Sequence, residues 1–387
     1  MPATESIGRR QCIPILYTRG SHYEVGFDVG RTFSGIINSF VDSCTVLNED
    51  YLPAYETPEG RKAYEDTLNC LKANYPQYVQ ELKGTADGAN VPFYKLFLLH
   101  MDNIILTATR RDDDIKQLPH GCSSICVNQP GQEILGHTED ALSDTLNHFY
   151  LVSAHIISDK PQGRWSVKEE KFTSLCYAGH LPGYTMGYNH HGLVFTINTL
   201  SAKNLKSGKT PRHFLTRALL SAENFYQVEQ ILRDRGCGAG DGCSINMTFL
   251  DQEGDRLFYN AEMAPADKTN ESQLCILTTS PGENMLHCNS YLRLKVEEAN
   301  REMVNSSVAR METFCKYPAP RTKQDVLGML GDDSNEKYSV FADKPEDRVV
   351  TLAVGIFDLI ERTWTLYSDN PRKNEPLTVL PLQVKSK

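Results

Sequence analysis

His120-Gly121-Cys122-Ser123-Ser124-Ile125-Cys126-Val127-Asn128 sets a thiol directly after a glycine, and Gly136-His137-Thr138-Glu139-Asp140 follows it closely. Glycine leaves the carbonyl of residue 121 unshielded by any side chain and tolerates unusual backbone angles. A thiolate one residue downstream can attack that carbonyl and turn the peptide into a thioester, which water releases. Cys122 then carries a thiol and a free α-amine. The ordinary pKa of that amine, about 7.7–8.0, makes it a built-in base near neutral pH. The stretch therefore predicts self-cleavage between Gly121 and Cys122. Residues 122–128 alternate and are rich in β-formers, which predicts a strand. The same residues also read as a plain strand opening on a buried cysteine, since free Cys packs as a small hydrophobe.

Upstream of the stretch the periodicity is helical. Residues 13–17 predict a short strand, and Ser21-His22-Tyr23-Glu24 is a capping box. Val25, Val29, Phe33, Ile36, Ile37 and Phe40 follow at helical spacing, to about residue 44. Thr57-Pro58-Glu59-Gly60 starts a second helix, with Thr as N-cap and Pro in the first turn. A third opens at Tyr75-Pro76 with Tyr78, Val79, Leu82 and Ala86 on one face and Gly88 placed to end it. Pro92 opens a fourth. Arg110-Arg111-Asp112-Asp113-Asp114 breaks all periodicity and reads as an exposed linker just ahead of the cut.

Downstream the pattern turns to strands, predicted at 122–128, 132–138, 149–158, 164–170, 172–178, 184–190 and 192–199. The connections are rich in Gly, Pro, Asn or Asp, as antiparallel meanders require. Helices are predicted at 211–220 and 224–235, strands at 243–250, 256–261 and 273–279, helices at 290–314 and 322–330, and a closing hairpin at 349–359 and 363–367. Gly236-Cys237-Gly238-Ala239-Gly240-Asp241-Gly242 lacks the Gly-Lys-Ser/Thr end of a phosphate loop and precedes a strand. Strands bracketed by helices predict a layered α+β architecture.

Composition narrows the function. A chain of 387 residues, 40% hydrophobic, has ample material for a core. A net charge of -9 without a basic patch argues against nucleic acid. No stretch has the length of a membrane span, and the first ten residues lack the apolar core of a secretory signal. Eleven cysteines in no framework spacing fit reduced thiols in the cytoplasm. The glycosylation sequons at Asn246, Asn270 and Asn305 then read as chance matches. There is no Cys-x-x-Cys, and neither Cys237-Cys243 nor His190-His191 has zinc-ligand spacing, so no metal and no cofactor are expected.

Gly121-Cys122-Ser123-Ser124 with Gly136 and Asp140 resembles the start of the mature chain in the acyl-coenzyme A:isopenicillin-N acyltransferase family of self-cleaving N-terminal-nucleophile hydrolases. Thr138 stands where the family's Gly-x-Asn-x-Asp element has Asn, and His120 where related chains often have an acid. The likeness extends over nearly the whole chain. It includes Tyr78–Gly88 in the pro-segment, Asn189-His190-His191-Gly192, His287-Cys288-Asn289 and Arg348-Val349-Val350-Thr351-Leu352.

The resemblance implies a four-layer αββα sandwich, with residues 1–121 a mainly helical pro-segment and 122–387 the catalytic piece. It implies that the pro-segment stays on as a second subunit, and a homodimer of that pair is compatible with it. Within the family the likeness is greatest to members that hydrolyse β-alanyl amine conjugates, giving β-alanine plus dopamine or histamine. Roles in cuticle pigmentation and in recycling a photoreceptor transmitter would follow.

Cysteine chemistry on an amide needs an activated thiol, a base and donors for the oxyanion. The resemblance places Asp140 to orient or deprotonate Cys122, and Asn289 to donate to the oxyanion. On local sequence Asn289 reads equally as a helix N-cap. Arg348 would clamp Asp140 or a substrate group through its planar fork, or sit on the surface at a strand start. Glu139 is the candidate for the β-alanyl ammonium. Backbone N–H groups near Ser123-Ser124 or Tyr177-Ala178-Gly179-His180 are further donors, and His120 and His137 could assist the cut. Two other readings share the sequence: an acyltransferase passing an acyl group from a thioester to an amine, and an uncleaved binding protein.

Overall fold

The computed structural model describes residues 8–109 and 121–385. The Arg110–Asp114 linker and His120 lie outside the described residues. The first segment runs β1 (Ile15–Gly20), α1 (His22–Thr32), α2 (Ser34–Ser43), a π-helical turn at Val46–Tyr51, α3 (Leu52–Tyr55), α4 (Pro58–Asn74), α5 (Pro76–Ala89), α6 (Phe93–Met101) and α7 (Ile104–Ala108). Then follow β2 (Ser123–Gln129), β3 (Gln132–Leu142), β4 (Phe149–Ile157), β5 (Glu169–Tyr177), β6 (Met186–Asn189) and β7 (Leu193–Leu200). Helices α8 (Arg212–Leu219) and α9 (Phe225–Arg233) lead to β8 (Gly242–Phe249), β9 (Phe258–Ala264), β10 (Gln273–Thr279) and β11 (Asn284–His287). The chain ends with α10 (Arg301–Phe314), α11 (Lys323–Leu330), β12 (Val349–Asp358), β13 (Thr363–Tyr367) and β14 (Thr378–Pro381).

The strands form two sheets. One has the order β1-β4-β5-β6-β7-β8-β9-β10, the other β11-β2-β3-β12-β13-β14. Three apolar layers hold four structural layers together. Phe172, Phe195, Ile245 and Met247 of the first sheet pack under helices α1–α9. Leu151, Leu175 and Met186 face Cys126, Leu135, Phe357 and Trp364 between the sheets. Ile125, Val127, Val354 and Ile356 meet Phe314, Val326 and Leu330 of α10 and α11. This is the expected αββα sandwich. Each sheet is covered on both faces, so polar strand residues such as Ser124, Asn198, Asn246 and Asn260 are buried along with the apolar ones.

Residues 8–109 do not form a separate body. β1 pairs in parallel with β4, from Ile15 opposite Leu151 to Gly20 opposite Ile156. Buried Arg217 of α8 bonds Glu81 of α5 and Glu170 of β5, and His22 of α1 bonds Glu170 from the other side. Despite burial, Arg217 and His22 hold the Glu170 carboxyl down to about 2.

Several predicted elements differ in detail. The first helix breaks at Phe33 into α1 and α2. The predicted strands 164–170 and 172–178 are one strand, β5. Gly88 does not end α5; left-handed Asn90 does, at φ 56°. Gly88 instead lies at a helix crossing, where a Cβ would stand 2.2 Å from the carbonyl oxygen of Phe27. Gly84 meets the Tyr23 carbonyl in the same way, and Gly26 and Gly30 meet those of Glu81 and Thr85. Residues 290–300 are not helical; the Glu262 carboxylate accepts the backbone N–H groups of Leu292, Arg293 and Leu294 and holds them in an irregular turn. Helix α10 begins later, capped by Asn300.

Candidate active site

Cys122 sits one residue ahead of β2, at the edge of the inter-sheet space, where the register sets Ser123 opposite Thr138. The Thr138 hydroxyl accepts the Ser123 N–H at 2.9 Å, so the residue that departs from the family pattern still anchors the nucleophile strand. The Cys122 carbonyl accepts the Asn198 amide at 2.9 Å. Asn198 belongs to a buried ladder with Ser124, Asn246 and Asn260, all on the inner faces of the sheets. Asn246 is fully buried within it, so the sequon it heads is not an accessible acceptor.

The thiol is 4% exposed and lies against three polar groups. It donates to the Asp140 carbonyl at 3.6 Å and to Glu139 Oε1 at 3.8 Å, and it accepts the Asp140 N–H at 3.4 Å. Burial, with the charges of Glu139 and Asp140, pushes the thiol well above its ordinary pKa. It is therefore protonated in this arrangement and needs a base before it can attack. The carboxylate the thiol donates to is Glu139, which also accepts from Tyr177 and pairs with His137 Nε2 at 3.1 Å; His137 Nδ1 meets Ser124 Oγ at 2.8 Å. Cys122, His137 and Glu139 present ligand atoms within 4.8 Å of one another, a spacing that their own hydrogen bonds account for.

Asp140 is buried, and neither carboxylate oxygen accepts a well-formed hydrogen bond. Burial pushes its carboxyl up to about 7, offset in part by the Arg310 charge and the Thr351 and Thr138 hydroxyls. Across the ladder, β12 carries a bulge between Thr351 and Ala353, opposite Asp140 and Glu139. Bulges re-aim side chains in this way beside functional groups.

The arginine at the site is Arg310, which sequence reasoning did not single out. It is fully buried on α10. Its Nη1 donates to the carbonyls of Gly121 at 2.5 Å and Cys122 at 2.8 Å, and to Ser123 Oγ at 2.8 Å. Its Nη2 donates to Asn289 Oδ1 at 2.8 Å. Asn289 does not cap a helix: its Nδ2 donates to the Thr199 carbonyl at 2.9 Å, and its amide lies over Gly121. A Cβ on residue 121 would stand 2.4 Å from Asn289 Oδ1. Glycine is required there by lack of room as well as by access to the carbonyl.

Two candidates are not where they were expected. Arg348 is exposed, and only its backbone carbonyl bonds inward, to Ser143 N–H; it does not clamp Asp140. Glu139 does not line the cavity in front of Cys122, because its side chain turns beneath the thiol toward Tyr177 and His137.

That cavity is walled by Gly121, Cys122, Asp140 and Asn289 together with aromatic and acidic side chains from both segments. Among the described residues lining it are Asp50, Asp102, Asp140 and Asp241, against a single cation, Arg212. Arg212 is itself bonded to Asp102, and Asp102 accepts from Tyr51 at 2.7 Å. Tyr177, Tyr184, His180 and His213 supply ring surface. Burial depresses His180 to about 4 and His213 well below its ordinary value, so both rings are neutral. Among the described residues no helix is long and apolar enough to cross a membrane.

The sequence profile described as acyl-coenzyme A:6-aminopenicillanic acid acyl-transferase matches residues 127–373. A curated relative, beta-alanyl-dopamine/carcinine hydrolase of Drosophila melanogaster, is 55% identical over 388 residues, covering all of both chains. Crystal structures of two variants of the conjugated bile acid hydrolase of Clostridium perfringens, one with a cysteine replaced by alanine and one with an arginine replaced by leucine, are more distant. They share 10% and 8% identity, with TM-scores of 0.37 and 0.36, and each match covers 69% of this chain and 99% of the other.

Proposed function

Because the chain belongs to the acyl-coenzyme A:6-aminopenicillanic acid acyl-transferase family, we propose that it is an amide hydrolase that first cuts itself before Cys122. It then hydrolyses β-alanyl amides of biogenic amines, β-alanyl-dopamine and carcinine among them, through an acyl-Cys122 intermediate. The observation that carries the reading is the Arg310 guanidinium on the Gly121 carbonyl, with the Cys122 thiol adjoining it.

In the first reaction the thiol attacks the Gly121 carbonyl carbon while Glu139 takes its proton. The oxyanion forms against Arg310, which is already in place; such preorganised donors are commonly the largest single contribution to catalysis. The C–N bond breaks, the Cys122 nitrogen leaves as a protonated amine, and water hydrolyses the Gly121 thioester. In the second reaction the substrate acyl carbonyl occupies the place that the Gly121 carbonyl vacates. The new α-amine serves as base, Arg310 donates to the oxyanion with Asn289 held beside it, and the amine product leaves with a proton. Water then releases β-alanine from the thioester. Asp140, which lines the cavity and whose carboxylate accepts no well-formed hydrogen bond, suits the β-alanyl ammonium better than Glu139 does. Tyr177, Tyr184 and the neutral rings of His180 and His213 suit the aromatic end.

The acidic wall also favours hydrolysis over acyl transfer from coenzyme A, whose phosphates it would repel. The cut pieces act as two subunits, compatible with pairing as a homodimer. A cytoplasmic location fits eleven free thiols. The roles in pigmentation and transmitter recycling would follow from this reaction.

Intact-mass analysis under denaturing conditions, with a β-alanyl-dopamine hydrolysis assay, tests the reading. Wild type is expected as two chains divided between Gly121 and Cys122, and Cys122→Ala as one inactive chain. Arg310→Met is expected to slow the cut by about 10²–10³-fold, the usual loss for one oxyanion donor. An uncut but fully active Cys122→Ala would overturn the proposal.

A further inference from the structure

Outside the active site, two thiols from opposite sides of the cut lie together. Cys70 is on α4 in the segment before Gly121, and Cys237 is in the glycine-rich loop ahead of β8. Their sulfurs are 2.9 Å apart, while all eleven cysteines of the chain are free. A disulfide needs an S–S distance of about 2.05 Å, so the two must close by less than about 1 Å. Cys237 lies between two glycines of positive φ, Gly236 at 94° and Gly238 at 87°.

The two thiols sit in different surroundings, Cys237 buried and Cys70 half-buried. The Thr210 hydroxyl points at Cys237 Sγ from 3.4 Å, and the Cys70 thiol can donate to it. With Arg164 nearby, these hold Cys237 below its ordinary pKa. Cys70 is half-buried and reachable from solvent. The seam around them is closely bonded. Arg164 donates to Asn74 at 2.8 Å and to Asp234 at 2.8 Å, and Tyr75 donates to Asp234 at 2.7 Å.

We propose that Cys70 and Cys237 are a reversible oxidation site, whose disulfide ties the segment before Gly121 to the piece that begins at Cys122. With a peroxide as oxidant, the Cys237 thiolate attacks one peroxide oxygen and becomes a sulfenic acid as the O–O bond breaks and water leaves. The Cys70 thiol then attacks that sulfur, forms the S–S bond and displaces a second water. Two thiols and one hydrogen peroxide thus give one disulfide and two waters. Cys237 is four residues from Asp241 on the cavity wall. The same bond therefore fixes one end of a loop that reaches the substrate cavity.

The test is non-reducing peptide mass mapping of purified full-length protein after hydrogen peroxide. It is run on wild type and on Cys122→Ala, which removes the reactive nucleophile and does not depend on self-cleavage. A Cys70–Cys237 cross-linked peptide is expected in both, reversed by dithiothreitol and lost in Cys237→Ser and in Cys70→Ser. In cut wild type, the two chains should then run as one band on non-reducing denaturing gels. No such peptide at a peroxide dose that oxidises Cys12, an exposed thiol, would overturn the proposal. So would a cross-link that persists in Cys237→Ser.

Discussion

Arg310 concentrates one charge on three oxygens, those of the Gly121 and Cys122 carbonyls and the Ser123 hydroxyl, and it reaches Gly121 from 189 residues away. That separation is why it was not legible. In sequence it is an arginine on an amphipathic helix, and such a residue is usually on the solvated face. The one available signal was that Ser306, Ser307, Arg310 and Thr313 recur on the face that also carries Phe314. A polar stripe sharing the apolar side of a helix marks a buried site. The structure brings Cys122, Asp140 and Asn289, each picked out by a local motif, to one cavity; it leaves the Arg348 side chain exposed, because a motif fixes position along a strand, not the solvent exposure of a flexible side chain.

Asp140 gives a pH prediction at the same scale. Its carboxyl rises from 3.8 to about 7 in the folded chain, chiefly through burial. The folded state thus binds this proton more tightly than the unfolded state. Its contribution to stability is present below about pH 4 and is lost as pH rises through about 7. In a Cys122→Ala background, Asp140→Asn is expected to flatten the fall of Tm across that window. Melting curves at several pH values check this, and parallel slopes for the two proteins would refute it.

Among the elements, the crossing of α1 and α5 depends on absent side chains. Gly26 and Gly30 on one helix and Gly84 and Gly88 on the other let backbone rest on backbone. Gly84→Ala would place a Cβ 2.2 Å from the Tyr23 carbonyl, an obstacle that cannot rotate away. A loss of at least about 1–3 kcal/mol is expected, the usual range for overpacking. Gly328, also helical, has open space at its Cβ position. Gly328→Ala should instead gain about 0.5–1 kcal/mol from helix propensity. Thermal melts of the two variants separate these directions.

The same crossing shows where element reading stops. The capping box at Ser21 and the alternation over residues 122–128 that marks β2 were legible because their causes are local. A glycine inside a helix can end it or let another helix approach, and only the partner decides. β11 and β14, four residues each, exist by pairing with β2 and β13 and carry too short a pattern to read. The irregular turn at 290–300 depends on Glu262, about thirty residues earlier, which local periodicity could not reveal.

Over the whole molecule, the segment before Gly121 contributes a strand, a helical layer and half of a buried charge network. After self-cleavage the two pieces are expected to co-elute on a sizing column and to part only in denaturant. Glu81→Ala removes one of the two carboxylates facing fully buried Arg217. Leaving that charge half-paired should cost about 3–5 kcal/mol, as for other broken buried pairs. Equal Tm for this variant and wild type would mean that the network adds nothing to the joint.

If the chain cuts itself before Cys122 as proposed, the parallel pairing of β1 with β4 changes meaning. Before the cut, β1 and β4 belong to one polymer, and folding is a first-order event whose rate ignores dilution. Afterwards the same registry must be rebuilt between two molecules. Recovery from heat or denaturant becomes second-order and slows as the protein is diluted. Maturation by the proposed cut would then act as a ratchet: the precursor would fold once with its parts tethered, and the cut enzyme would last only as long as its first assembly holds.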